Sequence, residues 1–174
     1  MKEYWKLINT NTIGPRYDVA PIFRNYEAFN TLLDDIKEII SNTNFDFVAG
    51  IDALGFVLAT AVSLRFQKGL ILVRKRGKIP VEVNYSEFSD YSGDNKGLEI
   101  DIKAIPQNSK ILLIDEWVET GAQVRAATKL IEQQGASITA ILSLNIDENN
   151  NTKSIMEKYN CYSLAKIKNF SNIL

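Results

Sequence analysis

The stretch KILLIDEWVETGAQ, residues 110–123, decides the fold of this 174-residue chain. Its four consecutive aliphatic residues, 111–114, predict a strand that is buried on both faces, as strands of a parallel sheet are. Two carboxylates, Asp115 and Glu116, follow the aliphatic run directly, and a short polar turn then leads into a segment with helical spacing at 124–134. The stretch therefore predicts a strand–turn–helix unit with two acids at the carboxyl end of the strand.

The turn itself carries a hydroxyl and a glycine, Thr120 and Gly121. Such a turn suits an anion, because the N–H groups at the start of a helix lack intrahelical partners and the helix dipole favours negative charge there. Carboxylates beside a phosphate-binding turn suit a sugar phosphate, since the acids can hold ribose hydroxyls while the turn holds the phosphate. The alternative interpretation is an ordinary strand–turn–helix connection with polar residues at the open end of a sheet.

Composition excludes several kinds of partner and chemistry. The chain is 45% hydrophobic and 24% charged, which is typical of a soluble globular protein, and its net charge of −1 offers no basic field for nucleic acid. The complete lack of histidine excludes a Ser-His-Asp triad and histidine-ligated zinc. The one cysteine, Cys161, excludes an intrachain disulfide and fits a reducing cytosol. With no signal-peptide pattern and no apolar run long enough for a span, we expect a cytoplasmic protein without membrane or nucleic-acid partners.

The rest of the chain alternates strand and helix patterns. Residues 1–24 are predicted to be irregular, and apolar spacing of three and four predicts a helix from Glu27 onward. Two half-exposed strands, at 81–85 and 98–102, are predicted to flank a loop at 86–97. The other predicted elements are strands at 45–51, 69–73, 138–146 and 161–165, a helix at 55–66 and a last helix that ends near Tyr159. This alternation predicts one three-layer α/β domain with a largely parallel sheet and a ligand site at the carboxyl edge of its strands.

Three further segments could serve such a site. The glycine-flanked turn at 50–56 can present N–H groups to a second anion, or its glycines can simply allow a strand and a helix to pack closely. The basic turn at 74–78 has four cations in five residues, which suits either an anion or a solvated surface. The loop at 86–97 is long for a compact domain, and loops of this length are often functional.

In combination these segments resemble the adenine phosphoribosyltransferases, a family within the type I phosphoribosyltransferases. Residues 110–123 resemble the family's motif for 5-phosphoribosyl 1-diphosphate (PRPP), and residues 47–80 (FVAGIDALGFVLATAVSLRFQKGLILVRKRGKIP) resemble its stretch from pyrophosphate loop to basic turn. Residues 89–100 (SDYSGDNKGLEI) are similar to its mobile catalytic loop. Residues 21–25 (PIFRN) resemble its purine-binding segment, with one residue fewer between Pro and Phe. The matches occur in family order and cover roughly residues 16–165.

The resemblance implies a type I phosphoribosyltransferase fold, with a mostly parallel sheet, helices on both faces and a small N-terminal hood at residues 1–26 of a single domain, 1–174. It implies transfer of the phosphoribosyl group from PRPP to a purine nitrogen in purine salvage, with adenine as the leading base. Pyrophosphate would be released, Mg²⁺ would arrive with PRPP, and the protein would be a homodimer.

The resemblance also implies roles for individual residues. Asp115 and Glu116 would hold the ribose hydroxyls, and Tyr91 is the candidate for the lid's contact over the reacting groups. The 5′-phosphate would be bound by Glu119, Thr120, Gly121, Ala122 and Gln123. The pyrophosphate would be bound by Asp52, Ala53, Leu54, Gly55, Arg74, Lys75 and Lys78, some of them across the dimer interface. The base would be bound by Ile22, Phe23 and Arg24.

Two departures from the family pattern keep an alternative open. Leu54 stands where the family usually has Arg, and Glu119 stands where a small residue is usual. Both departures favour a non-catalytic regulatory protein of the same fold that binds PRPP or a nucleotide. A further alternative is an enzyme of this type that acts on guanine, xanthine or an unusual base. For Glu119 we predict that the carboxylate turns outward or pairs with a basic neighbour such as Arg125.

Overall fold

The structure, a computed structural model, describes residues 2–13, 17–89 and 95–167. Its contacts form two compact units: Met1–Asn42 together with Leu164–Leu174, and Thr43–Ser163. Within the described ranges, no helix is both long enough and apolar enough to cross a membrane.

The strands of the larger unit are β1 (Phe47–Ile51), β2 (Gly69–Lys75), β3 (Val83–Ser89), β4 (Asn95–Asp101), β5 (Lys110–Ile114), β6 (Trp117–Val118), β7 (Ser137–Ser143), β8 (Asn145–Ile146) and β9 (Cys161–Ser163). A seven-stranded sheet forms the centre of this unit, in the order β3-β4-β2-β1-β5-β7-β9, and β6 and β8 form a separate parallel pair. The neighbouring strands β2, β1, β5, β7 and β9 pair in parallel, whereas β4 and β3 continue the sheet as an antiparallel hairpin.

Helices cover both faces of this sheet. In chain order the helices are α1 (Ala20–Arg24), α2 (Tyr26–Ile39), α3 (Leu54–Phe66), α4 (Ala122–Gln133), α5 (Asn150–Lys158) and α6 (Leu164–Ile167). Alternate strand residues such as Ile71 and Leu113 share a buried cluster with Leu130 of α4. On the other face, a Cβ added to Gly50 would lie 2.8 Å from the Cβ of Ala59 in α3. The predicted three-layer fold with a mostly parallel sheet is confirmed.

The smaller unit contains more regular structure than the sequence suggested. A 3-10 helix (Glu3–Leu7) and α1 lie in the region predicted to be irregular. Pro21 does not prevent α1, because it lies in the first turn of the helix, where its missing N–H is tolerated. The side chain of Asn25 then caps α2 by accepting a hydrogen bond from Ala28 N at 3.0 Å. Inside this unit the Tyr4 hydroxyl donates to Asp35 Oδ2 at 2.6 Å.

The structure corrects three other predicted elements. The strand predicted at 138–146 breaks at Leu144, because Leu144 N and Ser143 Oγ both donate to the carbonyl of Glu116 and turn the chain toward it. That turn creates the short β6–β8 pair, which was not predicted. Most of the predicted loop at 86–97 belongs to β3 and β4, whereas 90–94 lie outside the described residues. The strand predicted at 161–165 ends at Ser163, where α6 follows.

Candidate active site

Two predicted site segments meet where β1 and β5 end. Asp115 follows β5 directly and is 5% exposed, and Glu116 beside it is half-buried. The turn after β1 contains a cis peptide bond between Asp52 and Ala53 and leads into α3. A Cβ added to Gly55 would lie 3.0 Å from the carbonyl oxygen of Ile114 and 3.3 Å from Asp115 Oδ1. Glycine at this position therefore lets the start of α3 lie against the carboxylate at the end of β5.

The basic turn, whose first two residues, Arg74 and Lys75, end β2, lies against the same loop. Asp52 N donates to Val73 O at 3.0 Å, and Asp52 Oδ2 lies 3.8 Å from Arg74 Nε and accepts a hydrogen bond from Lys75 N at 3.4 Å. Among the described residues, Arg74 Nε is buried without a hydrogen-bond partner. The side chains of Lys75 and Lys78 are exposed. The structure thus brings together the two segments that were predicted to bind pyrophosphate.

One residue that the sequence analysis missed organises this basic turn. Glu99 was predicted to lie on the polar face of a half-exposed strand, but it is 2% exposed. Its carboxylate accepts hydrogen bonds from Gly77 N at 2.7 Å and from Lys78 N and Ile79 N at 2.6 Å. Burial alone would raise the pKa of the Glu99 carboxyl, but these three N–H groups and the Arg74 charge outweigh burial and lower it. Strand alternation could not reveal this, because Leu98 and Ile100 are buried as well.

The turn before α4 has the features of an anion site. Gly121 is the N-cap of α4, with φ of +71°, and having no side chain it cannot cap the helix itself. The N–H groups of the first turn of α4 after Ala122 have no partner within the helix and can serve a ligand. Thr120 Oγ1 accepts a hydrogen bond from Ala122 N at 3.4 Å, and the side chains of Thr120 and Gln123 are half-buried. These residues are the predicted 5′-phosphate loop, and they lie directly after the two acids.

Side chains from α4 and the start of α5 hold the carbonyl groups of this loop. Asn149 Nδ2 donates to Glu119 O at 2.8 Å, and Arg125 Nη2 donates to Thr120 O at 3.1 Å. Arg125 Nη1 also donates to Asn151 O at 2.8 Å. The asparagine is a typical helix-cap residue, so a cap at the start of α5 was readable from the sequence, but its contact with the phosphate loop was not.

Glu119 lies close to a second carboxylate. Burial raises the pKa of the Asp147 carboxyl and the charge of Glu119 raises it further, although hydrogen bonds from Trp117 and Asn145 act in the opposite direction. Trp117 Nε1 donates to Asp147 Oδ1 at 3.1 Å, and Asn145 Nδ2 donates to the same atom at 2.6 Å. Glu119 in this turn and Asp147 after β8 therefore place two neighbouring carboxylates beside the predicted phosphate site.

The structure describes the remaining predicted residues except Tyr91. Ile22, Phe23 and Arg24 belong to α1 in the smaller unit: Ile22 is fully buried, Phe23 is half-buried and Arg24 is exposed. The Phe23 ring meets Phe29 edge-on at a centroid distance of 5.2 Å. Tyr91 lies outside the described residues. Leu54 is half-buried at the first position of α3.

Known proteins similar to this chain agree with the predicted fold and family. The family model of the phosphoribosyl transferase domain matches residues 24–174. An adenine phosphoribosyltransferase from Nitrosopumilus maritimus is 32% identical over 151 residues, which cover 86% of this chain and 87% of that protein. Another, from Halothermothrix orenii, is 35% identical over 124 residues, covering 71% and 72% of the two chains.

Solved structures are similar over nearly the whole chain. The adenine phosphoribosyltransferase of Giardia lamblia, in complex with 9-deazaadenine, has a TM-score of 0.84 at 22% identity and covers 93% of this chain and 94% of its own. The enzyme of Thermoanaerobacter pseudethanolicus has a TM-score of 0.83 at 24% identity, with 92% and 96% covered. At these identities the likeness supports the fold. The predicted family and enzyme class are confirmed: this chain belongs to the phosphoribosyltransferase family and is a homologue of the adenine phosphoribosyltransferases.

Proposed function

We propose that this chain transfers the 5-phosphoribosyl group of PRPP to adenine, giving the nucleoside 5′-monophosphate and pyrophosphate, in purine salvage. The observation that carries the proposal is the single edge of the larger unit at which Gly55 touches Asp115 and Asp52 touches the basic turn. A sugar with a phosphate at one end and a diphosphate at the other needs such an arrangement. The relatives of this chain in Nitrosopumilus maritimus and Halothermothrix orenii are adenine phosphoribosyltransferases, which favours adenine as the base.

The 5′-phosphate is assigned to the loop before α4, where Thr120, Gly121, Ala122 and Gln123 would surround it. Two observations support this: Gly121 leaves the helix start without a side-chain cap, and Arg125 holds the carbonyl of Thr120. Asp115 and Glu116 are assigned to the ribose hydroxyls, which carboxylates bind by accepting hydrogen bonds.

The pyrophosphate is assigned to Asp52–Gly55 and to the basic turn. Support comes from the exposed Lys75 and Lys78 and from Arg74, whose Nε has no hydrogen-bond partner among the described residues. As the C1–oxygen bond breaks, negative charge grows on pyrophosphate and positive charge on the ribose. Cations at one end and carboxylates at the other stabilise both charges without reorganising.

The residues present also fit Mg²⁺ carried by PRPP. Mg²⁺ is usually held by one or two carboxylates together with substrate phosphates and water, and Asp115 and Glu116 are two carboxylates at this edge. When bound, Mg²⁺ would neutralise charge on the leaving pyrophosphate. The proposal also keeps Ile22, Phe23 and Arg24 as base-binding residues and Tyr91 as the lid contact, on the strength of the family resemblance.

A homodimer is proposed through the outer face of α3. Apart from Thr60, Ser63 and Arg65, the residues of this helix are apolar, as in helices buried in a core. Val57 is nevertheless 39% exposed and Leu64 is 75% exposed in the single chain. Leu72 of β2 lies on the same face of the sheet as α3 and is 43% exposed. A second copy would cover these exposed apolar side chains. A cytoplasmic location is proposed as well, because the single cysteine fits a reducing compartment.

Release of pyrophosphate tests the proposed reaction. The protein would be incubated with PRPP and Mg²⁺, and adenine, guanine, hypoxanthine and xanthine would each be supplied in turn. We expect release that depends on adenine and disappears when Mg²⁺ is chelated. Release with another purine alone would change the assigned base and leave the reaction class intact.

A second candidate function is binding of PRPP or a nucleotide without turnover. Leu54 and the paired negative charges of Glu119 and Asp147 favour it, since both features weaken binding of the phosphates. If no purine gives release while PRPP raises the thermal unfolding temperature, this second candidate replaces the first.

A further inference from the structure

The basic turn is held by the β3–β4 hairpin as much as by the strand from which it emerges. On one side, Arg76 N donates to Gly97 O at 2.9 Å. A Cβ added to Gly97 would lie 3.3 Å from Arg76 Cβ, so the stem of this arginine lies directly on the hairpin. Its guanidinium stands 4.1 Å above the ring of Tyr85 and pairs with Glu87. One of the four cations in the turn is thus committed to the hairpin.

On the other side, Glu99 binds the backbone of the turn. Three consecutive N–H groups, those of Gly77, Lys78 and Ile79, converge on its two carboxylate oxygens. Oε1 accepts from Lys78 and Ile79, and Oε2 accepts from Gly77. Successive N–H groups in a tight turn form a concave site for an anion. Here that anion is a side chain of the protein, and it is nearly inaccessible to solvent.

The direction of these hydrogen bonds determines where the basic side chains of the turn lie. With the N–H groups of the turn directed at the buried carboxylate, the side chains of Lys75 and Lys78 remain exposed. Arg74 is fixed in addition, because its Nη1 donates to Lys78 O at 3.0 Å and its Nε lies 3.8 Å from Asp52. The backbone that Glu99 holds therefore carries Lys78 and accepts the hydrogen bond that fixes Arg74, two of the three cations that we assign to pyrophosphate.

We propose that Glu99 is a positioning residue that shapes the basic turn for the diphosphate group of PRPP. This inference rests on the proposed function, because it takes Arg74, Lys75 and Lys78 to be the diphosphate-binding cations. Glu99 acts through the backbone, out of reach of the substrate. It preorganises the turn, so that binding of diphosphate does not have to order a flexible loop.

The main variant is Glu99→Gln, which keeps the shape of the side chain but places an NH₂ group against an N–H donor of the turn. At least one of the three hydrogen bonds must break, and those that remain lose their charge. We expect the KM for PRPP and the Kd for inorganic pyrophosphate, measured by calorimetry, to rise about tenfold or more. The KM for adenine is expected to stay within about twofold, because the proposed base-binding residues belong to α1 and not to the basic turn. Glu99→Asp, which keeps the charge but has a shorter reach, is expected to recover part of the PRPP affinity.

The matched control is Glu87→Gln, which removes a carboxylate from the same hairpin. The Glu87 carboxylate pairs with the side chain of Arg76 and not with the backbone of the turn. It is expected to leave the KM for PRPP within about twofold of the wild type. If Glu99→Gln also leaves the KM for PRPP unchanged, or raises the KM for both substrates equally, the positioning role is wrong.

Hydrogen exchange separates a failure of this inference from a failure of the proposed function. The amide protons of Lys78 and Ile79 are expected to exchange slowly in the wild type and much faster in Glu99→Gln, whatever the protein binds. Equal exchange in the two proteins would overturn the inference even if the enzyme is active. A wild-type protein that neither releases pyrophosphate nor binds PRPP would overturn the proposed function, and with it the role of Glu99 toward diphosphate.

Discussion

At the scale of single residues, Glu119 is the side chain that we expect to weaken binding at the proposed 5′-phosphate site. A carboxylate about 5 Å from a phosphate charge is repelled by about 3 kcal/mol at an effective dielectric near 20, before screening by salt. The helix dipole returns only about 0.3–1 kcal/mol. The charge of Glu119 also raises the pKa of Asp147, so the two acids disfavour each other as well.

We therefore predict that Glu119→Gln tightens binding of PRPP by about tenfold, equivalent to about 1.4 kcal/mol. The same substitution should lower the pKa of Asp147, because a neighbouring negative charge has been removed. Calorimetry measures the first effect and NMR titration of the carboxyl the second. Glu157→Gln, which removes an exposed charge from α5, serves as the control for net charge. If both variants bind PRPP equally well, the charge argument is wrong.

Leu54 gives a prediction of the opposite kind, a gain of affinity. It begins α3 beside the proposed pyrophosphate site, at a position where adenine phosphoribosyltransferases usually have Arg. A charge-assisted hydrogen bond contributes about 1.5–3 kcal/mol. Leu54→Arg is therefore expected to lower the Kd for pyrophosphate at least about tenfold. Leu54→Met, which keeps the volume without the charge, should bind like the wild type. An arginine variant that also binds like the wild type would contradict the assignment of this turn.

At the scale of secondary structure elements, Gly121 decides whether α4 can begin where it does. Its positive φ disfavours any side chain, and a Cβ there would lie 2.3 Å from Ile155 Cδ1 in α5. The conformational strain costs about 1 kcal/mol and the overlap about 1–3 kcal/mol more. We predict that Gly121→Ala lowers the unfolding temperature by about 5–15 °C.

Gly77 is the matched control for that experiment. It has a similar φ of +83°, but nothing lies within 4 Å of an added Cβ. Gly77→Ala should therefore show the conformational cost alone, a decrease of about 2–4 °C. Equal decreases for the two variants would mean that the contact with Ile155 does not limit this position.

The β4 strand makes stability depend on pH through Glu99. Its carboxyl has a folded pKa below the ordinary value of 4.5, so the folded state favours the ionised form. The stability that this provides is complete above about pH 4.5 and is lost as the pH falls through the lowered folded pKa. We predict that the difference in unfolding free energy between the wild type and Glu99→Gln is largest near neutral pH and shrinks below pH 4.5. Denaturant unfolding at several pH values measures it, and a difference that grows toward low pH would contradict the sign.

At the scale of the whole molecule, the apolar outer face of α3 predicts self-association. Leu64→Asp would place a charge in the proposed interface, and we expect the variant to elute as a monomer where the wild type elutes as a dimer. Light scattering after gel filtration measures the mass. Tyr26→Asp, at a similarly exposed position in α2, should leave the dimer intact. A wild type that is monomeric at high concentration would contradict the proposal.

The sequence predicted the central strands β1, β2 and β5 well, because each is a continuous apolar run that ends at a charged residue. The run at 111–114 and the acids after it appear in the structure as expected. Elements set by long-range contacts were missed. The end of β7 before Leu144 depends on a hydrogen bond to the carbonyl of Glu116, and no local sequence pattern predicts it.

The candidate site shows the same division. Motif residues such as Asp115, Gly121 and Arg74 could be found because their chemistry is local to one turn. Glu99 could not, because its partners are N–H groups about twenty residues away and any residue can supply an N–H. Supporting contacts of this kind can be identified only from the folded structure and not from the sequence.

The hydrogen bond from Trp117 to Asp147 has an optical consequence. The chain has two tryptophans: Trp5 lies in the smaller unit and is 1% exposed, whereas Trp117 is half-buried beside the phosphate loop. Replacing Trp5 with phenylalanine would leave one indole, next to a carboxylate that responds to charge in that loop. The protein therefore contains an intrinsic fluorophore at its proposed phosphate site, and ligand binding can be followed by emission without an attached dye.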